Sequence, residues 1–270
     1  MDADGTSHVR ALAYESILIA LSGFIGAVGL ASLLDAEWFR GVVVELARTI
    51  APGPAGRVVG EAAQQGADAG GSAAVFGLAV TFLTGTLAMT QVERSANRIA
   101  GLAVDRPPLR RYAFAAILAA TIGVLLGIGA LLLGAGRAIG TGVKWPEETL
   151  TVWSVVRWPV GLVIVGVAVF LLFRLAPHRP LGRTRAIMAG TFVAVVLWAA
   201  FTALLSWYFS IQTASAYGPL LSIVALLVWS MLTSLALHLG MATACELEAP
   251  RRDGRGESRS IRFESGVTSR

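Results

Sequence analysis

The 270-residue chain is too apolar and carries too few charges to be a water-soluble globular protein. Hydrophobic residues make up 55% of it and charged residues 14%, whereas about a quarter of the residues in a soluble domain are charged. Its net charge of +5 does not indicate a nucleic-acid partner, because the basic residues lie mainly in loops beside apolar segments. A single cysteine, Cys245, excludes an intramolecular disulfide framework and a Cys-based metal site.

The first predicted membrane span covers about residues 11–34 and is apolar apart from Glu15. A cleavable secretory signal is the alternative, but this apolar run is longer than the roughly 7–15 residues of a signal core. Residues 35–72 then form the main segment predicted outside the bilayer. Within 38–50, apolar residues recur near helical spacing, which predicts an amphipathic helix lying on the membrane surface or capping the bundle. A second, weaker helix is expected at 55–66.

Three further spans are predicted at about 73–91, 112–136 and 158–174. The last is short, because Arg157 and Arg174 bracket its apolar core. Since crossing a bilayer takes about 20 helical residues, we expect both arginine side chains to reach outward to the interface.

Residues 186–245 contain no Asp, Glu, Lys or Arg, and this stretch is too long for one spanning helix. The polar segment 212–218, followed by Pro219, divides it into a helical hairpin with spans of about 186–211 and 219–244. The sequence therefore predicts an all-α membrane protein. Its architecture is a six-transmembrane-helix bundle with an external amphipathic helical segment between helices 1 and 2.

Basic residues are concentrated on one predicted side of this bundle. Sixteen of the 22 Lys and Arg residues fall in four segments: 1–10, 91–111, 174–185 and 246–270. Because basic loops remain in the cytoplasm, both termini are predicted there, in a multi-pass protein of the plasma (inner) membrane. The predicted organisation is a cytoplasmic N-terminus (1–10), a transmembrane domain (11–248) and a disordered cytoplasmic tail (249–270).

The chain lacks the usual signatures of catalysis. Its three histidines form no metal-binding pattern, and there is no Gly-x-Ser-x-Gly elbow and no phosphate-binding Walker loop. We therefore predict no catalytic, metal or cofactor site, and a protein that is not an enzyme. The small residues of Ser22–Gly26 and Gly123–Gly127 are predicted to be helix-packing faces of the small-xxx-small type.

Short motifs over residues 9–248 resemble the YihY/BrkB family of bacterial inner-membrane proteins. They open the first and fifth spans, follow the second and fourth, and run through the sixth: Ala11-Leu-Ala-Tyr14, Met188-Ala-Gly190, Glu93-Arg-Ser-Ala-Asn-Arg-Ile99, Arg174-Leu-Ala-Pro177, Tyr217-Gly-Pro-Leu-Leu-Ser-Ile-Val-Ala-Leu-Leu-Val-Trp229 and Leu239-Gly240. The resemblance implies the six-span fold and structural roles for eight motif residues: Tyr14, Asn97, Pro177, Gly190, Tyr217, Gly218, Trp229 and Gly240.

The resemblance says less about activity. Members of the family have been labelled as a ribonuclease and linked to virulence and serum resistance, and transport has been suggested. The chain departs from the family at two positions. Leu21-Ser-Gly-Phe24 lacks a proline that is usual in the first helix, and Gly240-Met-Ala242 lacks a late glutamate of the last helix.

Polar residues inside the predicted spans are the candidates for function. Glu15 is either a proton or cation site, or it reaches the interface or pairs with a base such as Arg185. Hydroxyl groups and one imidazole form stripes on three spans: Thr81 and Thr84; Thr202 and Ser206; Ser230, Ser234 and His238. These stripes either line a polar cavity between helices 2, 5 and 6, or bond to backbone carbonyls as structural groups.

Two functions follow from these alternatives. In the first, the protein is a transporter or permease of a small or lipid-like solute and is not driven by its own ATPase. In the second, it is a non-transporting envelope protein that organises lipids or partners through its external amphipathic segment. A ribonuclease is disfavoured. The predicted partner is the lipid bilayer, with no nucleic acid, and the sequence does not define an oligomeric state.

Overall fold

The structure, a computed structural model, describes residues 3–49, 54–101, 106–142, 145–178, 181–211 and 218–248. In these ranges the chain forms seven α-helices: α1 (Ala3–Leu33), α2 (Glu37–Thr49), α3 (Pro54–Ile99), α4 (Pro108–Gly142), α5 (Glu147–Leu175), α6 (Thr184–Ser210) and α7 (Gly218–Glu248). All except α2 contain a stretch long and apolar enough to cross a membrane. The predicted all-α membrane bundle is confirmed, whereas the predictions for Tyr217 and for the tail 249–270 concern residues outside these ranges.

The spans alternate in direction, which defines two ends of the bundle. Near the start of α6, Gly190 contacts Gly240 near the end of α7, so these helices are antiparallel. Gly26 near the end of α1 contacts Gly77, which lies early in the membrane-spanning part of α3. We call the end at which α1 begins and α7 ends the terminal end, and the opposite end the distal end.

The ends of α1 and α3 have local causes. After α1, Asp35 adopts a left-handed backbone conformation (φ 49°), and the N–H of Ala36 donates to the carbonyl of Ala31 at 2.8 Å. After α3, Gly101 takes φ 65° and its N–H donates to the carbonyl of Arg98 at 3.0 Å. Glycine is the residue best suited to such a cap, and Asp tolerates it better than most. Both helices therefore end where their last carbonyls can still be bonded.

Helix α3 differs from its predicted form. It runs for 46 residues, which at 1.5 Å per residue is roughly 70 Å, more than twice the thickness of the hydrocarbon. Residues 55–66 are helical as expected, but they do not form a second helix of their own, because they continue into the second span without a break. Pro54 stands in the first turn, where its missing N–H is not needed.

Glycine pairs bring successive spans into backbone contact. Three pairs do so: Gly26 with Gly77, Gly129 with Gly161, and Gly190 with Gly240. A methyl group at Gly77 would collide with the backbone N and Cα of Gly26, so no larger residue fits unless the helices separate. The predicted packing face of Ser22–Gly26 is confirmed.

The prediction for Gly123–Gly127 is wrong. A Cβ added at either glycine would meet nothing within 4 Å, and both positions are exposed. The glycine of α4 that meets α5 within the apolar part of both helices is Gly129, at which a Cβ would lie 2.7 Å from a methyl of Val165. Both faces are apolar and rich in small residues, so composition could not show which one meets α5.

Helix α2 caps the distal end of the bundle. Its apolar side chains Val42, Val43 and Leu46 are 3%, 3% and 6% exposed. They join one apolar cluster with two residues of α1 and two of α7: Phe24, Val28, Ala225 and Leu226. Of the two predicted placements, capping the bundle is therefore the one observed. A second apolar core, built from α3 to α7, fills the terminal half.

Candidate functional site

Glu15 is a half-buried carboxylate in the membrane-spanning part of α1. Its Oε2 atom is buried and has no hydrogen-bond partner among the described residues. The predicted pairing with Arg185 is not formed, and the Arg185 side chain is exposed. An ionised carboxylate without a partner in lipid costs several kcal/mol, so Glu15 is the most conspicuous polar group inside the spans.

The predicted stripe of α7 faces the interior of the bundle. Ser230 and Ser234 are 2% and 1% exposed, and His238 is half-buried. The Ser230 hydroxyl donates to the carbonyl of Ala13 on α1 at 2.8 Å, two residues before Glu15 in the sequence. His238 Nδ1 lies 2.8 Å from the Ser234 carbonyl, which can only accept, so this nitrogen carries the proton. The stripe thus joins α7 to α1.

On α3, the Thr81 hydroxyl faces α1. Thr81 Oγ1 lies 3.0 Å from the Ser22 hydroxyl and donates to the Gly77 carbonyl at 2.7 Å. Thr84 donates to the Val80 carbonyl at 2.7 Å. Ser22 is a buried polar residue that does not belong to the polar stripes predicted from the sequence. Its position beside Gly26 in a packing face is the signal that could have revealed it.

The hydroxyls of α6 do not join this group. Thr202 accepts a hydrogen bond from Trp229 Nε1 at 3.2 Å, and Ser206 is exposed. The residues predicted to line one cavity therefore fall into three local contacts: α1 with α3, α1 with α7, and α6 with α7. Most of the hydrogen bonds described for them go to backbone carbonyls, as the structural interpretation expects.

A buried ion pair at the terminal end was missed by the sequence analysis. Glu93 of α3, 2% exposed, lies 2.9 Å from the guanidinium of Arg106, which precedes α4. Arg106 also donates to the carbonyls of Ala176 and Pro177 after α5, and its Cζ lies 4.2 Å from the centre of the Phe114 ring. The Arg106 guanidinium thus contacts three segments: α3, the residues after α5, and α4. These contacts compensate its charge where water is scarce.

Several motif residues meet at this end. The buried Asn97 side chain accepts a hydrogen bond from the backbone N–H of His178 at 2.7 Å, next to the buried Pro177. The Glu248 carboxylate accepts from the N–H groups of Gly182 and Arg183, at the start of α6. Asn97 and Pro177, which belong to two motif pieces far apart in the sequence, therefore lie close together at this end.

The remaining motif residues are placed elsewhere. Gly190 and Gly240 form the crossing of α6 with α7, and Gly218 begins α7. Trp229 bonds to Thr202 within the hairpin, whereas Tyr14 is 62% exposed on the outer face of α1.

Six apolar spans around a buried polar interior define a multi-pass, all-α membrane protein. The chain belongs to the family described as Virulence factor BrkB, whose family model matches residues 1–262. This agrees with the resemblance found in its motifs.

Two curated relatives are similar over part of their length. Over 107 residues, 39% of this chain and 38% of the relative, it is 28% identical to YfkH of Bacillus subtilis (strain 168), which is named as ribonuclease-like. Over 179 residues, 63% of this chain and 39% of the relative, it is 27% identical to a UPF0761 membrane protein of Rhodospirillum rubrum. The matched part spans about two fifths of each relative. No solved structure matches the chain.

Proposed function

We propose that this protein is a permease for a small or lipid-like solute, with Glu15 as its proton- or cation-linked group. The observation that supports this most directly is the buried Oε2 of Glu15, which has no hydrogen-bond partner among the described residues. Ionisable side chains within spanning helices are rare and commonly mark ion and substrate paths. The family's name and that of the ribonuclease-like relative identify no such activity.

The proposed path follows the interior face of α7 between α1 and α3. It replaces the predicted cavity between the second, fifth and sixth spans, which are α3, α6 and α7. Ser230 and Ser234 give this face its buried hydroxyls, and His238 continues it toward the terminal end. Ser22 and Thr81 extend the polar interior across α1 and α3. Thr202 and Ser206 are left out, because one is engaged by Trp229 and the other is exposed.

The proposal includes an orientation. With both termini in the cytoplasm of a bacterial cell, the terminal end and Glu15 face the cytoplasmic side of the inner membrane. A proton or cation gradient across that membrane then supplies the driving force, since the chain carries no Walker loop.

The alternative of a non-transporting envelope protein has weaker support. It expects an exposed apolar stripe on 38–50 that recruits lipids or partners. Trp38 is 54% exposed, but Val42, Val43 and Leu46 are buried against α1 and α7. The apolar face of α2 is thus used inside this chain.

The test uses purified protein in vesicles that hold a pH-sensitive dye for proton flux or a sodium-sensitive dye for sodium flux. We expect an imposed proton or sodium gradient to dissipate faster than in empty vesicles, and Glu15→Gln to remove that acceleration. Glu246→Gln, an exposed carboxylate on the last turn of α7, is the matched control and should behave as wild type. Solute profiles of cell-derived vesicles with and without the protein would then identify the cargo. Equal fluxes for Glu15→Gln and wild type would show the proposal to be wrong.

A further inference from the structure

Arg157 is a cation placed within the membrane-spanning part of α5. It borders the apolar run 158–173, whose half-length of about 12 Å is less than the roughly 15 Å half-thickness of the hydrocarbon. Its side chain is half-buried against α4, toward the distal end. A charge at this depth requires a partner or access to the headgroup layer.

The described part of the chain supplies few hydrogen-bond partners for this guanidinium. Its Nη1 donates to the Leu133 carbonyl at 3.3 Å and its Nε to the Ser154 carbonyl at 3.4 Å, both long for hydrogen bonds. Arginine has five N–H donors, so most of them have no hydrogen-bond partner among the residues that the structure describes. No carboxylate pairs with it among the described residues, and α4 contains no Asp or Glu. The nearest acids of α5, Glu147 and Glu148, lie about two and a half turns away and are exposed.

The surroundings of Arg157 match a phospholipid. Trp158 is 51% exposed, and its ring centre lies 5.2 Å from the Arg157 Cζ. Trp145 and Trp153 pack edge to face at 5.5 Å nearer the distal end, as in the aromatic belts found at headgroup level. On the other side of Arg157, the exposed positions of α5 before Arg174 are apolar, with Val163 at 64% and Val167 at 45%. A headgroup at Arg157 would place its acyl chains along this surface.

We propose that Arg157 and Trp158 form a binding site for the phosphate group of an anionic phospholipid in the leaflet at the distal end. The guanidinium and a phosphate carry opposite charges, and the planar guanidinium can donate hydrogen bonds to two phosphate oxygens at once. Free inorganic phosphate has the same headgroup chemistry but would leave the apolar surface of α5 unused. The site is separate from the proposed path along α7.

Native mass spectrometry and melting of the detergent-solubilised protein test this site with added phosphatidylglycerol. We expect wild type to retain the lipid and to melt at a higher temperature with it, and Arg157→Gln to retain it roughly tenfold less, as for one lost charge-assisted hydrogen bond. Arg174→Gln is the matched control, because it removes the exposed arginine at the other end of the same apolar run. Equal lipid loss in both variants would overturn the proposal.

Two measurements on wild type keep the test decisive if Arg157→Gln does not fold. Diacylglycerol, which has the same chains without a phosphate, should be retained less than phosphatidylglycerol. Equal retention of the two would mean that only the apolar surface binds, and the proposal would fail. Inorganic phosphate at matched concentration should neither stabilise the protein nor displace the lipid. If it did both, the site would be one for free phosphate and the lipid assignment would be wrong.

Discussion

Glu93 and Arg106 form an ion pair of 2.9 Å that joins the end of α3 to the segment before α4. The glutamate is 2% exposed and the arginine 16%, so the pair is nearly closed to water. Removing one member of a buried pair leaves the other charge without compensation, which costs more than the pair itself contributes. Since Arg106 also binds the carbonyls that follow α5, its position depends on Glu93 and in turn fixes the end of a third helix.

We expect Glu93→Ala to destabilise the protein by about 3–5 kcal/mol, the range for breaking a buried pair. Glu93→Gln keeps the shape of the side chain, so we expect it to lose less stability than Glu93→Ala. Glu246→Ala, an exposed glutamate on α7, is the control and should change stability by less than about 0.5 kcal/mol. Thermal melting of the purified protein in one detergent compares the three. Similar melting temperatures for Glu93→Ala and Glu246→Ala would contradict the role of the pair.

A second prediction concerns the contact of α1 with α3. Gly77→Ala places a methyl group against the backbone of Gly26. We expect the stability of the protein to fall by about 1–3 kcal/mol, as at other overpacked sites. Gly123→Ala makes the same chemical change on an exposed face where nothing lies within 4 Å. It should be neutral or slightly stabilising, because alanine favours the helix by roughly 0.5–1 kcal/mol. Yield and melting measure both, and equal behaviour would show that the Gly26–Gly77 contact is not needed.

Gly26 and Gly123 also show how far the sequence predicts the fold. The spans follow from hydropathy, because a helix in lipid must be apolar along its whole length. Which face of a span packs inward is a different matter, since lipid is as apolar as leucine and the inward face carries no hydrophobic signal. Gly26 was placed correctly and Gly123 was not, although both belong to small-xxx-small patterns. Only the three-dimensional packing distinguishes them.

The candidate site likewise contains residues that the sequence predicts and residues that only the structure shows. Glu15 was found from sequence because a charge within a span is rare. Glu93 and Arg106 were not, because each lies near a predicted helix end, where charged residues are ordinary. The α6 hydroxyls had the right periodicity, yet Ser206 faces outward. Periodicity defines a helix face but not the neighbour that it meets.

The docking of α2 is tested within that helix. Leu46→Ala removes a side chain that is 6% exposed in the cluster with α1 and α7, so we expect a loss of about 2–5 kcal/mol. Gly41→Ala changes the exposed face of the same helix, where an added methyl meets nothing within 4 Å, and should not destabilise it. Limited proteolysis would report detachment of α2 as new cleavage in Leu46→Ala. Unchanged proteolysis and melting would argue that α2 is not held by its apolar face.

The orientation remains a prediction from the uneven distribution of Lys and Arg. Reporter fusions at Asp105 and Gly254 should give a cytoplasmic signal, and fusions at Gly60 and Glu148 an external one. A fusion at Arg179 provides a further cytoplasmic position. An external signal from 105, 179 or 254 would reverse the predicted topology, and with it the proposed direction of the gradient at Glu15.

The last prediction asks whether the interior face of α7 opens. Ser234 is 1% exposed, and a buried group can react only after local opening. We therefore expect Ser234→Cys, in a Cys245→Ser background, to react slowly with a small polar thiol reagent. Its labelling rate should be at least about tenfold lower than that of Glu246→Cys. A permease that uses this face must expose it during its cycle, so an imposed proton or sodium gradient should accelerate labelling at 234. Leu226→Cys, in the apolar cluster beneath α2, is the buried control and should stay slow with or without the gradient. If the gradient leaves labelling at 234 as slow as at 226, the face is static packing and transport along it would be ruled out.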